Sequence, residues 1–247
     1  MINADIYFEE AGKVIAELKT TQIDKIREAG KVLAESILNG GVVHIFGTGH
    51  SKVFSMEMSG RAGGLIPMHA IMMDKLVFEG GVTEEELRSP EFERDPEVAH
   101  RLWGLYSIDE RDAFIVISNS GRNGAIVEFA SMVKERKMPL IVITSMEHSS
   151  RTTSRHPSGK KLYEFGDIVI DNYGPEGDSL IPVEGLPMKA CSISSITGAF
   201  IAQGLTAEIV KNYIEKGRVP PLYISSNIDG GDAHNNKLKK EYAGRIE

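Results

Sequence analysis

Five short apolar runs constrain this chain more than any other feature. They are "VVHIF" (42–46), "LIPMHAIMM" (65–73), "DAFIVIS" (112–118), "PLIVITS" (139–145) and "DIVIDN" (167–172). A continuous apolar run bounded by glycine or polar residues suits a strand buried on both faces. Helix-length stretches separate these runs, at about 51–60, 96–107 and 124–136. Strands alternating with helices predict a parallel sheet with helices on both faces, a three-layer α/β sandwich.

The flanking segments follow from the same reading. Residues 3–39 read as two helices, the second repeating Ile23, Ile26, Leu33 and Ile37 at helical spacing. "NGG" (39–41) supplies the stop. Residues 79–96 are charged, carry Pro90 and Pro96, and read as a loop or a poorly packed excursion. The acidic run Glu84–Glu86 reads as a solvated helix start, and Met56 and Met58 as core. Residues 186–216 predict one long helix or two, followed by a polar tail with too many turn formers for a helix. No internal linker divides the chain. We expect one domain over 1–247, with an N-terminal helical pair (1–39), a core (40–215) and a C-terminal tail (216–247). Its length of 247 residues suffices for a full hydrophobic core.

Charge and composition narrow the function classes. A net charge of -7 argues against a nucleic-acid surface. No apolar run approaches the ~18 residues of a membrane span. The start, "MINADIYFEEAGK", lacks the charged-then-apolar layout of a secretory leader, so a cytoplasmic protein is expected. A lone cysteine, Cys191, excludes an internal disulfide, and its small apolar neighbours predict a packed core thiol.

In open parallel sheets, ligands sit beyond the carboxyl ends of the strands. The first such end reads Gly47-Thr48-Gly49-His50-Ser51. Two glycines let the backbone approach a ligand, and the following helix start favours an anion. The turn lacks the lysine of a P-loop and the third glycine of a dinucleotide fingerprint. By itself it is also explained as a tight turn. The third strand ends Ser118-Asn119-Ser120-Gly121-Arg122-Asn123. A helix cap at Ser120 or Asn123 needs one short polar residue, whereas four fall here within six positions. These side chains suit the oxygens of a phosphate. Ser145 ends the fourth run and adds a hydroxyl at the same edge.

Together "GTGHS" and "SNSGRN" resemble the two signature loops of the SIS (sugar isomerase) domain family. That resemblance spans roughly residues 40–215 and implies a five-stranded parallel sheet of flavodoxin or Rossmann-like type that binds phosphosugars. The chain is similar to phosphoheptose isomerases and to N-acetylmuramic acid 6-phosphate etherases. "SRHPSGKKLYEFGDIVIDN" (154–172) is most similar to an uncharacterised bacterial group of SIS proteins placed with the sugar isomerases. The resemblance implies phosphate contacts from Ser51, Ser118, Asn119, Ser120 and Asn123. It also implies a homodimer or homotetramer. A non-catalytic phosphosugar sensor is the alternative, since SIS domains also serve in regulators.

Isomerisation and ether elimination both need a general base near C2 of the sugar and an acid to finish. Glu57, in "Glu57-Met58-Ser59-Gly60-Arg61", matches the isomerases' glutamate step, on a helix about one turn shorter. Their C-terminal helix carries a glutamine and a histidine; here 188–216 has Gln203 and no histidine. His234 in the tail is the candidate partner, and Glu57 with His234 form the expected acid–base pair. His50 is either a local turn residue or a sugar contact. His69 reads as a core histidine. His148 and His156, with Ser158 and Lys160, form either one wall of the site or a solvated loop. No histidine pair has zinc spacing, so neither a metal nor another cofactor is expected.

Overall fold

The computed structural model describes residues 2–246. The chain opens with α1 (Ala4–Leu38), whose first turn is capped by Asn3, its Oδ1 accepting from Ile6 N at 2.9 Å. One helix of 35 residues thus replaces the two expected. The apparent break at Thr20-Thr21 closes because both hydroxyls donate back along the helix, to Ala16 O and Glu17 O. Buried Gln22 is needed here, since its Oε1 accepts from Asp171 N.

Then follow β1 (Val43–Gly47), α2 (Lys52–Met58), β2 (Met68–Ile71), α3 (Lys75–Phe78), α4 (Glu84–Arg88) and α5 (Glu97–Trp103). The second half contains β3 (Ala113–Ile117), α6 (Gly124–Glu135), β4 (Leu140–Thr144), α7 (Met146–Ser150) and β5 (Ile168–Asp171). A hairpin of β6 (Ser179–Pro182) and β7 (Lys189–Ser192) precedes α8 (Ser194–Glu215) and α9 (Gly231–Lys239).

The five main strands form one parallel sheet in the order β2-β1-β3-β4-β5, with Val43 level with both Met68 and Ala113. Alternate side chains divide between two cores. Val43, Ile45, Ile115 and Ile141 meet α1, α2 and α8 through Leu33, Phe54, Met58 and Leu205. Phe46, Phe114, Val116 and Val142 meet α5 and α6 through Leu102, Ile126, Phe129 and Val133. Both faces are covered, which is why the strands read as unbroken apolar runs.

Several expectations need correction. Residues 79–96 are anchored rather than loose: Val82 is buried, and Thr83 and Glu86 form a reciprocal cap at the start of α4. Residues 189–192 are strand, so the long helix begins only at Ser194. Cys191 is exposed on β7 with φ 63°, not packed in the core. Met58 is buried, but Met56 faces outward at 57% exposure. The tail contains a helix after all: Gly230, at φ 82°, turns the chain into α9. His69 is buried within β2, as expected.

Candidate functional site

The strand order 2-1-3-4-5 creates a switch point between β1 and β3, where the outgoing loops run to opposite faces and leave a crevice. "GTGHS" and "SNSGRN" are those two loops. Gly47 ends β1 so close to the turn that a Cβ would lie 2.8 Å from Ser51 O and from Ile117 Cγ2. Gly49 at φ 55° then starts a short 3-10 turn into α2. The Ser51 hydroxyl makes no capping bond and remains available to a ligand.

The second loop is held from behind. Ser118 Oγ accepts from Gly121 N at 3.1 Å, and Ser149 Oγ donates to Ser120 O at 2.9 Å. Gly121 takes φ 56°, close against Leu162 and Ser149. Buried Asn172, beyond β5, donates through Nδ2 to Asn119 Oδ1 at 2.7 Å. Asn119 Nδ2 is thereby oriented with no protein acceptor of its own among the described residues.

A narrow pocket of about 40 Å³ opens at this crevice, lined by His50, Ser51, Glu57, Asn119, Ser194 and Ser195 among others. Glu57 is fixed by an ion pair with Arg61 and by Gln203 Nε2, which donates to its Oε1 at 2.7 Å. The first turn of α8 forms the remaining wall. Asp178 anchors that turn, accepting from Ser194 N at 2.9 Å and Ser194 Oγ at 2.8 Å. Ser194 and Ser195 were not anticipated. Their signal was the small polar run "CSISSITGA" (191–199) at a helix start. A wider cleft of about 680 Å³ adjoins the other side of the Gly47–His50 turn, floored by Met72, Met73, Val77 and Leu87. His50 borders both spaces.

Other expected site residues serve elsewhere. Ser145 is fully buried, donates to Gly174 O at 2.5 Å and accepts from His148 N at 2.9 Å. Its hydroxyl is spent on the fold and does not line the pocket. Asn123 makes no side-chain cap; its amide joins Glu93 Oε1 to Arg155 Nη1. His234 Nε2 donates to Leu222 O at 3.0 Å. Leu222 bridges Leu65, which precedes β2, so His234 lies at the amino edge of the sheet. The pocket is at the carboxyl edge, and the pairing of Glu57 with His234 is therefore corrected. His148 Nδ1 accepts from Gly177 N, and His156 bonds Glu128 and Ser158. Neither lines either space. Among the described residues no group of three His, Cys, Asp or Glu side chains is placed to hold a metal. No helix there is long and apolar enough to cross a membrane.

The chain is 39% identical to a UPF0309 protein of Caldanaerobacter subterraneus subsp. tengcongensis, over 98% of each chain. It is 40% identical to a UPF0309 protein of Listeria monocytogenes, over 97% of each. Its fold is shared with phosphoheptose isomerase GmhA of Neisseria gonorrhoeae, at a TM-score of 0.54 and 16% identity, covering 84% of this chain and 96% of that one. The NanR protein of Vibrio vulnificus, solved in complex with ManNAc-6P, aligns at a TM-score of 0.50 and 12% identity, over 96% of this chain and 67% of that one. Residues 6–145, more than half of the sequence, match the SIS domain. With its 2-1-3-4-5 parallel sheet and full-length UPF0309 relatives, the chain belongs to the SIS domain family.

Proposed function

We propose that the crevice between β1 and β3 binds a phosphorylated sugar and that the chain isomerises it or eliminates a C3 substituent from it. One observation carries this reading: the pocket brings Ser51, Asn119 and the carboxylate of Glu57 together at the switch point. Ser51 Oγ, the oriented Asn119 Nδ2 and the loop N–H groups supply compact donors for phosphate oxygens. The fold neighbours give the reading its chemical class, one being named a phosphoheptose isomerase and another having been solved with ManNAc-6P.

In the isomerase form, Glu57 takes the proton from C2 of the open-chain sugar and returns it to C1. His50 moves the proton between O1 and O2. In the lyase form, Glu57 takes the same proton and His50 protonates the departing C3 oxygen. His50 replaces His234 in this scheme because it lines the pocket. A second reading, a non-catalytic sensor, draws support from Glu57 Oε1 being held already by Arg61 and Gln203. Under either reading we take the protein to be a homodimer or homotetramer, since Val53, Met56 and Phe200 are exposed on α2 and α8.

Thermal-shift screening with hexose, heptose and amino-sugar phosphates tests the binding claim. A stabilising phosphosugar is expected, with affinity about tenfold lower in Ser51→Ala, the scale of one hydrogen bond to a charged group. Stabilisation by nucleotides alone would overturn it. Turnover of the stabilising sugar should fall by about 10²–10⁴ in Glu57→Gln with binding retained. Tight binding without turnover in the unaltered protein would select the sensor.

A further inference from the structure

Next to the crevice, on the same carboxyl edge of the sheet, three arginines converge on Asn123 and Gly124. Arg122 belongs to the loop after β3, and Arg155 follows α7. Arg155 N donates to Arg122 O at 2.8 Å, and Arg155 Nη1 donates to Asn123 Oδ1 at 2.8 Å. Asn123 Nδ2 donates in turn to Glu93, the neighbour of Arg94. The Arg94 carbonyl packs so tightly on Gly124 that a Cβ there would lie 2.0 Å away. Arg94 comes from the short turn (92–94) before α5.

The charge here is not balanced. Among the described residues neither Arg122 nor Arg155 has a carboxylate within 4.0 Å, and the Arg122 guanidinium bonds only to Thr153 Oγ1, at 3.2 Å.

 Among the described residues Arg94 pairs only with Glu91, at 3.3 Å on the surface. The Nε atoms of Arg94 and Arg122 are buried with no hydrogen-bond partner among the described residues. The carboxylate of Glu93 acts on Arg155 electrostatically, and Asn123 already engages it. Loss of water, then Arg122 and Arg94, hold the Arg155 guanidinium below its ordinary range. Lys161, buried against Ser149 O and Thr152 Oγ1, adds a further cation near Arg122. A chain with a net charge of -7 has no general excess of cations to explain this concentration.

Guanidinium groups present planar forks of N–H donors that match the oxygens of a phosphate or carboxylate. We propose that Arg122 and Arg155, backed by Arg94, form a second oxyanion subsite beside the β1/β3 crevice. Its occupant is either a second acidic group carried by the bound sugar phosphate or a separate small anion. Only the first of these sources rests on the phosphosugar reading above.

Titration calorimetry at constant ionic strength tests the subsite, since screening would otherwise mask the charge. The probes are fructose 6-phosphate, fructose 1,6-bisphosphate and pyrophosphate, each with the full chain. If the sugar carries the second group, the bisphosphate binds at least tenfold more tightly than the monophosphate. That advantage falls below threefold in Arg122→Met and in Arg155→Met. If the anion is separate, pyrophosphate binds with or without the monophosphate present, and Arg155→Met weakens it at least tenfold. Arg155 is exposed, so its replacement leaves the core intact. Failure of fructose 6-phosphate to bind counts against the crevice reading, while the pyrophosphate arm still decides the subsite. Neither a bisphosphate advantage nor pyrophosphate binding, or either one unchanged in both variants, overturns the proposal.

Discussion

Gly47 shapes the candidate site through the side chain it lacks. A methyl group there would sit 2.8 Å from Ser51 O, a backbone atom that cannot turn aside. Either the turn lifts away from β3 or the strand end shifts, and both displace Ser51 from Asn119. Gly47→Ala is expected to cost about 1–3 kcal/mol, the usual range for overpacking. Urea unfolding measures that loss, and calorimetric titration should show phosphosugar affinity at least tenfold lower. Unchanged stability and affinity would mean that the turn tolerates displacement. Ser145 shows the opposite case. It has the chemistry of a ligand contact, but its hydroxyl is committed to Gly174 and His148.

Among the elements, the packing of α1 against α8 sets how closely the first turn of α8 approaches the crevice. Gly30 lies tight against α8, where an added Cβ would lie 2.4 Å from Glu208 Cβ. Alanine gains up to about 1 kcal/mol in helix propensity over glycine. Here the clash involves the root of a side chain, so overpacking at about 1–3 kcal/mol outweighs that gain. Gly30→Ala should therefore lower the urea midpoint without altering the slope; a raised midpoint would show that the helices separate freely. The elements differed in how plainly the sequence announced them. Strands β1, β3 and β4 were legible because both their faces are buried, leaving no polar alternation to confuse the pattern. Strand β7 was hidden because it is only four residues long and lies just before a helix. Helix α9 was hidden because it is polar and begins among glycines. The two strand-end loops were readable from the edge rule, whereas Ser194 and Ser195 reach the pocket only through a hairpin that the sequence did not disclose.

At the scale of the whole molecule, the tail is a strap on the edge of the sheet away from the site. Tyr223 exchanges backbone bonds with Gly63 and Gly64, and Arg245 Nη2 reaches Asp112 Oδ1 at 2.5 Å. Asp112 is fully buried; burial raises its pKa, but hydrogen bonds from His44 and the N–H groups of Asp109 and Val42 outweigh that and lower it. Next to this group His69 packs against His44 and Tyr106, with ring centroids 5.3 and 5.2 Å apart. Burial first, then the charges of His44 and Lys75, lower its pKa to about 4. The unfolded chain holds that proton up to a pKa of about 6.5. Between those values the unfolded state binds more protons than the folded one, so stability falls as pH falls. The contribution is complete above about pH 6.5 and is lost on acidification toward pH 4, an effect of order 3 kcal/mol. Asp112, with its pKa held below the ordinary carboxylate range, loses its contribution only at lower pH. At about 2–4 °C per kcal/mol for a chain of this size, Tm should drop by roughly 6–12 °C between pH 6.5 and pH 4 through His69. Replacing His69 with phenylalanine removes the titrating ring while keeping an aromatic side chain in the stack. Calorimetric melting across that range should then show a shallower acid slope in His69→Phe than in the unaltered protein. Parallel slopes would show that His69 takes up its proton without opening the fold.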